Sequence, residues 1–309
     1  MFQTAFANIA ILVVGMTIGF AAKKGGVIGD KDIPGLSGVT LNIALPALML
    51  MSMQREFDAA IFANSLLIMG LAVLTYMSCF ALSYPLTKLL KTAEDERPVY
   101  KFSLIFSNNG FMGIPVVYAI FGAEAMFYAA MINVVFNIIL FTIGIFIMRG
   151  EGSKGKMGLK SVLFNKIILS TIVGFLFFVF SIRIPEILGS GLTMLGSMTT
   201  PLAMIVTGAL LASNDIKSVF TGWRIYVVVL FRLLILPLLV FFILRWFISD
   251  GMVLTILTII TAMPVAVIMA ILAAEHGKAP HLASKIVFVS TVLSIFTIPF
   301  IVFITSIFV

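Results

Sequence analysis

The chain has 309 residues, of which 61% are hydrophobic and only 11% charged. A soluble chain carries about 25% charged residues and cannot hide this much apolar surface, so a water-soluble domain is excluded. The net charge of +7 would in a soluble protein point to nucleic acid; with no solvated basic face to present, nucleic-acid binding is excluded as well.

Apolar runs follow one another along the chain at about 3–22, 33–53, 61–88, 99–122, 123–148, 161–182, 186–211, 219–247, 251–274 and 282–308. Most are near or above the roughly 20 residues that cross a hydrocarbon core of about 30 Å. The predicted fold is therefore all-α and integral to a membrane, with ten spans. No Lys or Arg precedes the first run, so it reads as a retained membrane helix, not a signal peptide. With the N-terminus outside, sixteen Lys and Arg fall in connections facing the cytoplasm, from Lys23 and Lys24 to Lys278 and Lys285. Outward connections hold only Arg55, Arg183 and Arg245. That asymmetry predicts both termini outside. One cysteine, Cys79, and two histidines exclude a disulfide framework and leave no multi-ligand metal site to expect. No cofactor is expected.

The prolines disclose a repeat. Pro34 and Pro185, Pro46 and Pro201, Pro85 and Pro237, and Pro115 and Pro264 are separated by 151, 155, 152 and 149 residues. Spans one to five thus correspond to spans six to ten, and an odd number in each half inverts the second. The expected organisation is 1–149 for the first five-span repeat, 150–160 for a Gly- and Lys-rich cytoplasmic linker, and 161–309 for the inverted repeat.

Two corresponding spans are interrupted near their middles. The fourth carries Ser107-Asn108-Asn109-Gly110-Phe111-Met112-Gly113-Ile114-Pro115, and the ninth Thr261-Ala262-Met263-Pro264. An unwound backbone leaves N–H and C=O groups unpaired at several kcal/mol each in hydrocarbon, so it survives only buried in protein or lining a watery cavity. Paired breaks of this kind mark the binding site of a secondary transporter. Each break starts a half-helix whose first N–H groups suit an anion, above all a carboxylate. The carbonyls exposed at the same place can instead hold a cation. Proton, sodium and uncoupled movement all stay open.

Individual residues carry two readings each. Asn108 and Asn109 offer amides to a substrate, or cap the half-helix. Gly110 and Gly113 allow close backbone approach or a positive φ. Asn133 and Asn137, four apart on the fifth span, share one inward face; they touch substrate or bond a neighbouring helix. Arg232 lies deep in the eighth span without a deep acidic partner, either meeting an anionic substrate or anchoring structure. Glu275 and His276 read as a proton-linked gate or as solvated end groups, the second preferred, and Glu124 reads similarly. The missing deep carboxylate argues against coupling through an intramembrane acid.

The first break, reading N-N-G-F-M-G-I-P from Asn108 to Pro115, resembles the N-x-x-x-M-G-I-P segment of the auxin efflux carrier family. Pro201 to Leu211 is similar to that family's P-L-A-x-x-x-x-G-A-x-L helix, and Ala262-Met263-Pro264 with Glu275 to its C-terminal part. The likeness covers essentially the whole chain. It implies a fold like that of the bile acid:sodium symporters, with spans four and nine discontinuous and crossed. It further implies a moving unit (spans 3–5 and 8–10), a scaffold (spans 1, 2, 6 and 7) and a homodimer. Asn108 matches the family's crossover asparagine and Pro264 its second crossover proline. Plant members export auxin, and bacterial members are linked to malate and related dicarboxylates. Val265 stands where plant members have a polar residue, and their long cytoplasmic loop is absent; both favour the bacterial branch. The expected function is a carrier in the bacterial inner membrane for a small mono- or dicarboxylate. The rivals are an ion-coupled carrier or channel for a non-carboxylate solute, a membrane sensor, and a membrane-embedded enzyme, for which convergent catalytic groups are missing.

Overall fold

A computed structural model describes residues 2–149, 164–213, 222–248 and 250–308. The expected linker at 150–160 lies outside the described residues. In chain order the helices are α1 (Phe2–Lys24), α2 (Asp32–Ser52), α3 (Ala59–Leu89), α4 (Arg97–Ile105), α5 (Asn109–Phe121) and α6 (Ala123–Arg149). The second half contains α7 (Lys166–Val179), α8 (Glu186–Ala212), α9 (Trp223–Leu244), α10 (Gly251–Thr261), α11 (Ile268–Glu275) and α12 (Pro280–Phe308). No strand occurs among the described residues. Seven of these helices, α1, α2, α3, α6, α8, α9 and α12, are long and apolar enough to cross a membrane.

The remaining expected spans are interrupted or short. The fourth appears as α4 and α5, and the ninth as α10 and α11, each divided at the Gly- and Pro-bearing stretch. The sixth begins only at Lys166 because Asn165 caps it, its Oδ1 accepting from the N–H groups of Ile167 (2.9 Å) and Ile168 (3.1 Å). Asp250 caps α10 and Asp58 caps α3 by the same device. Burial is inverted relative to a soluble protein. Large apolar side chains such as Ile187, Trp246 and Leu89 stand exposed on the outside, whereas Asn108, Asn109, Asn133, Asn137 and Arg232 are buried. Such a surface suits lipid, and the chain is a multi-pass membrane protein.

Prolines reshape three helices in one way. A proline ring clashes with the carbonyl four residues back and removes an N–H. Ahead of Pro46, Pro115 and Pro237 the helix answers by widening to bonds spanning five residues: Leu45 donates to the Thr40 carbonyl, Ile114 to Asn109 and Leu236 to Phe231. Arg232 sits inside the third of these wide turns.

Helix packing relies on small residues where backbones touch. α1 packs along α8, and α2 packs against α7 and α8. A Cβ on Gly208 would be driven into the Met16 carbonyl oxygen of α1, and one on Gly19 into the Ile205 carbonyl of α8. Gly174 meets Met53 in the same manner, at 2.8 Å from its Cγ. Close approach through Gly brings dispersion contacts that lipid would otherwise supply, the usual route to helix association in a bilayer. Elsewhere α3 packs on α4 and α6, α9 on α10, and α11 on α12. Because the Gly208 clash is with backbone, Gly208→Ala is expected to cost about 1–3 kcal/mol, read as a lower melting temperature in detergent. Gly70→Ala, with nothing within 4 Å, is the control and should leave melting unchanged or slightly raised.

Candidate functional site

The two interruptions meet and satisfy each other's backbone. The Asn108 N–H donates to the Pro264 carbonyl at 2.7 Å, and the Ala266 N–H to the Phe106 carbonyl at 3.1 Å. Ser107 and Val265 thereby face each other as an isolated antiparallel bridge. The Val265 N–H is taken by Ser290 Oγ of α12 at 3.1 Å. Ser107 Oγ donates to Asn109 Oδ1 at 2.8 Å, and Asn109 Nδ2 to the Tyr76 hydroxyl of α3 at 3.0 Å. Groups that would be prohibitive alone in an apolar interior are thus paired. Neither Gly110 nor Gly113 has a positive φ. At Gly113 a Cβ would come 3.4 Å from Met263 Cγ, so the glycine serves the close approach of the second break.

A cavity of about 280 Å³ opens beside this meeting place. Of the residues singled out in the sequence, Asn108, Asn109, Gly110, Asn133 and Asn137 line it. Its polar edge is rich in donors. Asn108 Nδ2 and Asn133 Nδ2 are buried with no hydrogen-bond partner. Among the described residues the backbone N–H groups of Gly110, Val267 and Ile268, at the starts of α5 and α11, also have none. Lys166, exposed at the start of α7, adds a formal positive charge; among the described residues no Asp or Glu lines the cavity. At the breaks the carbonyls of Phe106, Ser107, Asn108 and Pro264 accept backbone N–H groups, while among the described residues those of Ala262, Met263 and Val265, outside the lining, receive none. Phe111, Phe136, Phe141 and Phe164 form an apolar wall.

The other singled-out residues lie elsewhere. Gly113 and Pro115 are one turn further along α5, outside the lining. Thr261 ends α10, its hydroxyl donating to the Leu257 carbonyl at 2.8 Å, and Pro264 contributes through its carbonyl alone. Asn137 spends its donor on its own helix, Nδ2 to the Asn133 carbonyl at 2.7 Å. Arg232 is only 1% exposed, does not line the cavity, and keeps an unpartnered Nε. Three contributors escaped the sequence reading: Asn42 in α2, and Asn165 and Lys166 at the head of α7. Asn165 lies inside the run expected at 161–182, with a legible capping signal ahead of Ile167-Ile168-Leu169. Asn42 and Tyr76 had none. Among the described residues there is no group of three His, Cys, Asp or Glu that could hold a metal.

Comparison with known proteins accords with this arrangement. A family model described as "Membrane transport protein" matches residues 4–163 and 153–302. An uncharacterized transporter of Methanothermobacter thermautotrophicus is 24% identical over 298 residues, covering 96% of this chain and 97% of that protein. One from Methanocaldococcus jannaschii is 24% identical over 301 residues, covering 94% and 95%. The uncharacterized transporter YfdV of Escherichia coli is 21% identical over 215 residues, 67% of this chain and 68% of its own. With a transporter family matched from end to end, and interrupted helices meeting beside a donor-lined cavity, the chain belongs to the membrane transport proteins of the auxin efflux carrier family, and is a transporter and not an enzyme.

Proposed function

We propose that the protein is a secondary carrier for a small organic anion, a mono- or dicarboxylate such as malate. The observation that carries this is the sign of the cavity's polar edge. Among the described residues the lining carries two buried amide nitrogens and three backbone N–H groups without a partner and a lysine, and no carboxylate. Donors preorganised at helix N-termini stabilise an anion without reorganisation. A cation would need carbonyls, and in the lining those of Ser107, Asn108, Asn109 and Ala266 already accept backbone N–H groups. The substrate carboxylate lies on Asn108 Nδ2, Asn133 Nδ2 and the starts of α5 and α11, with its carbon skeleton against the phenylalanines. Asn109 is the tie to Tyr76, Asn137 braces α6, and Gly110, Gly113, Pro115, Thr261 and Pro264 shape the breaks. Arg232 stands outside the site.

The architecture completing this reading is ten membrane spans in two inverted five-span repeats, divided at the linker, with both termini outside the inner membrane. The match in position of Pro115 and Pro264, at breaks that contact one another, supports it. So does the packing of α1, α2, α7 and α8 on each other, which fits a scaffold against which α3–α6 and α9–α12 move. The cavity's mouth, at Phe164 to Lys166, then lies on the cytoplasmic side, and rigid-body movement exposes it alternately to each face. A homodimer formed through the scaffold completes the assembly. The coupling ion, proton or sodium, is a variable of the assay.

Counterflow of labelled malate in proteoliposomes, with a panel of carboxylates and auxin as competitors, with and without sodium and a proton gradient, tests the reading. Saturable counterflow distinguishes a carrier from a channel. Asn108→Asp separates capping from binding, because Asp preserves the acceptor for the Phe111 N–H (3.4 Å) yet replaces the free donor with a negative charge. It should melt like the wild type and lose about 100-fold or more in counterflow, since like charges in a closed site cost several kcal/mol. Asn133→Ala should weaken apparent affinity about tenfold, the scale of one hydrogen bond to a charged group. Asn137→Ala should leave affinity within about twofold. Arg232→Met is expected to fold at least as well as the wild type, because replacing a buried charge by a packed apolar side chain is often neutral or stabilising; its KM should not move. Undiminished counterflow by Asn108→Asp would remove the site from this cavity.

A further inference from the structure

At the end of the molecule away from the Glu56–Arg183 ion pair, basic side chains gather around one tyrosine. Two adjoining pockets of about 550 and 440 Å³ share Tyr84, Arg97 and Lys101 in their walls. Around them stand Lys88, Lys91, Arg97, Lys101, Arg149 and Lys278, contributed by α3, α4, α6 and the segment before α12. Among the described residues that line these pockets the acidic ones are Glu94 and Asp95, both exposed. Positive charge near the cytoplasmic ends of helices is expected of any membrane protein and by itself directs only orientation. Two features go beyond that. Lys101 is drawn inward to 9% exposure, its ammonium 3.5 Å from the centre of the Tyr84 ring, so one cation is built into the protein and not left in solvent. The charges also line two adjoining concave pockets and are not scattered. Beside that space the surface turns apolar: Tyr84, Leu89 and Phe146 are 40%, 77% and 54% exposed.

We infer that these joined pockets are a binding site for a phosphate group carried by an anionic phospholipid, whose acyl chains run along the exposed apolar face of α3 and the end of α6. A phosphodiester has the charge and the acceptor oxygens that clustered Lys and Arg recognise, and basic pockets between membrane helices at the cytoplasmic face take such headgroups. A soluble phosphate ester offers the same head without the chains. The site is distinct from the substrate cavity, with which it shares no lining residue.

Native mass spectrometry of the purified full chain, titrated with dioleoyl phosphatidylglycerol and with dioleoyl phosphatidylcholine, tests this. Wild type should prefer the anionic lipid by tenfold or more. Arg97→Gln/Lys278→Gln, which leaves buried Lys101 in place, should reduce the preference to threefold or less without lowering the melting temperature. Lys101→Gln should do the same and Lys101→Arg restore it. Lys24→Gln/Lys31→Gln, removing equal charge elsewhere, should keep the tenfold preference. Glycerol 3-phosphate is the second arm. Failure to displace the lipid at millimolar concentration assigns the site to lipid, and displacement sensitive to the same substitutions assigns the phosphate recognition to soluble esters as well. A preference that survives Arg97→Gln/Lys278→Gln and Lys101→Gln, or that falls equally in Lys24→Gln/Lys31→Gln, overturns the inference.

Discussion

Everything in this molecule turns on the requirement that a peptide group in an apolar interior find a partner. Two helices are interrupted within an apolar interior, and the interruption of each is the partner of the other. Asn108 donates to Pro264 and Ala266 to Phe106, so a two-residue antiparallel contact replaces the missing helical bonds. Pro264 has no N–H to leave behind, and Ser290 accepts from the residue that follows it. What the exchange does not satisfy are the leading N–H groups of α5 and α11. Among the described residues those of Gly110, Val267 and Ile268 have no partner, and these residues line a cavity.

Proline works at a second level. Ahead of Pro46, Pro115 and Pro237 the helix widens by one residue per turn without breaking. At Pro115 this wide turn follows the break directly, turning Asn108 and Gly110 toward the cavity while Met112 and Gly113 pack against the core. Glycine does the complementary work at the α1–α8 contact, where Gly19 and Gly208 let two backbones touch. One set of helices is locked by close packing and the other is divided at its centre, a mechanical asymmetry that suits one unit sliding against another.

Much of this was legible in the chain because the responsible residues cannot be moved without consequence. Hydropathy alone identified the apolar runs, and Gly and Pro inside two of them marked the interruptions that structure then brought together. Asn108 was legible both as a cap and as a donor: Oδ1 accepts from the Phe111 N–H, and Nδ2 is buried without a partner. The direction of individual side chains was less accessible. The four-residue spacing placed Asn133 and Asn137 on one face, yet said nothing of Asn137 turning back on the Asn133 carbonyl. Arg232 stood out by chemistry, but its distance from the cavity depends on how α9 packs, which no local pattern encodes. Lys166 looked like one of many cytoplasmic cations; only the packing of α7 against α2 and α6 carries it to the cavity lining.

The central claim is that the meeting point of the two breaks attracts an anion. It is tested most directly without transport at all. In a Cys79→Ser background, Val267→Cys places a thiol at the cavity wall and keeps the backbone N–H, so its rate of modification by a water-soluble maleimide reports occupancy. Malate, but not sodium or potassium at equal ionic strength, should slow the reaction saturably. Slowing by the cation with no effect of any carboxylate would contradict the account.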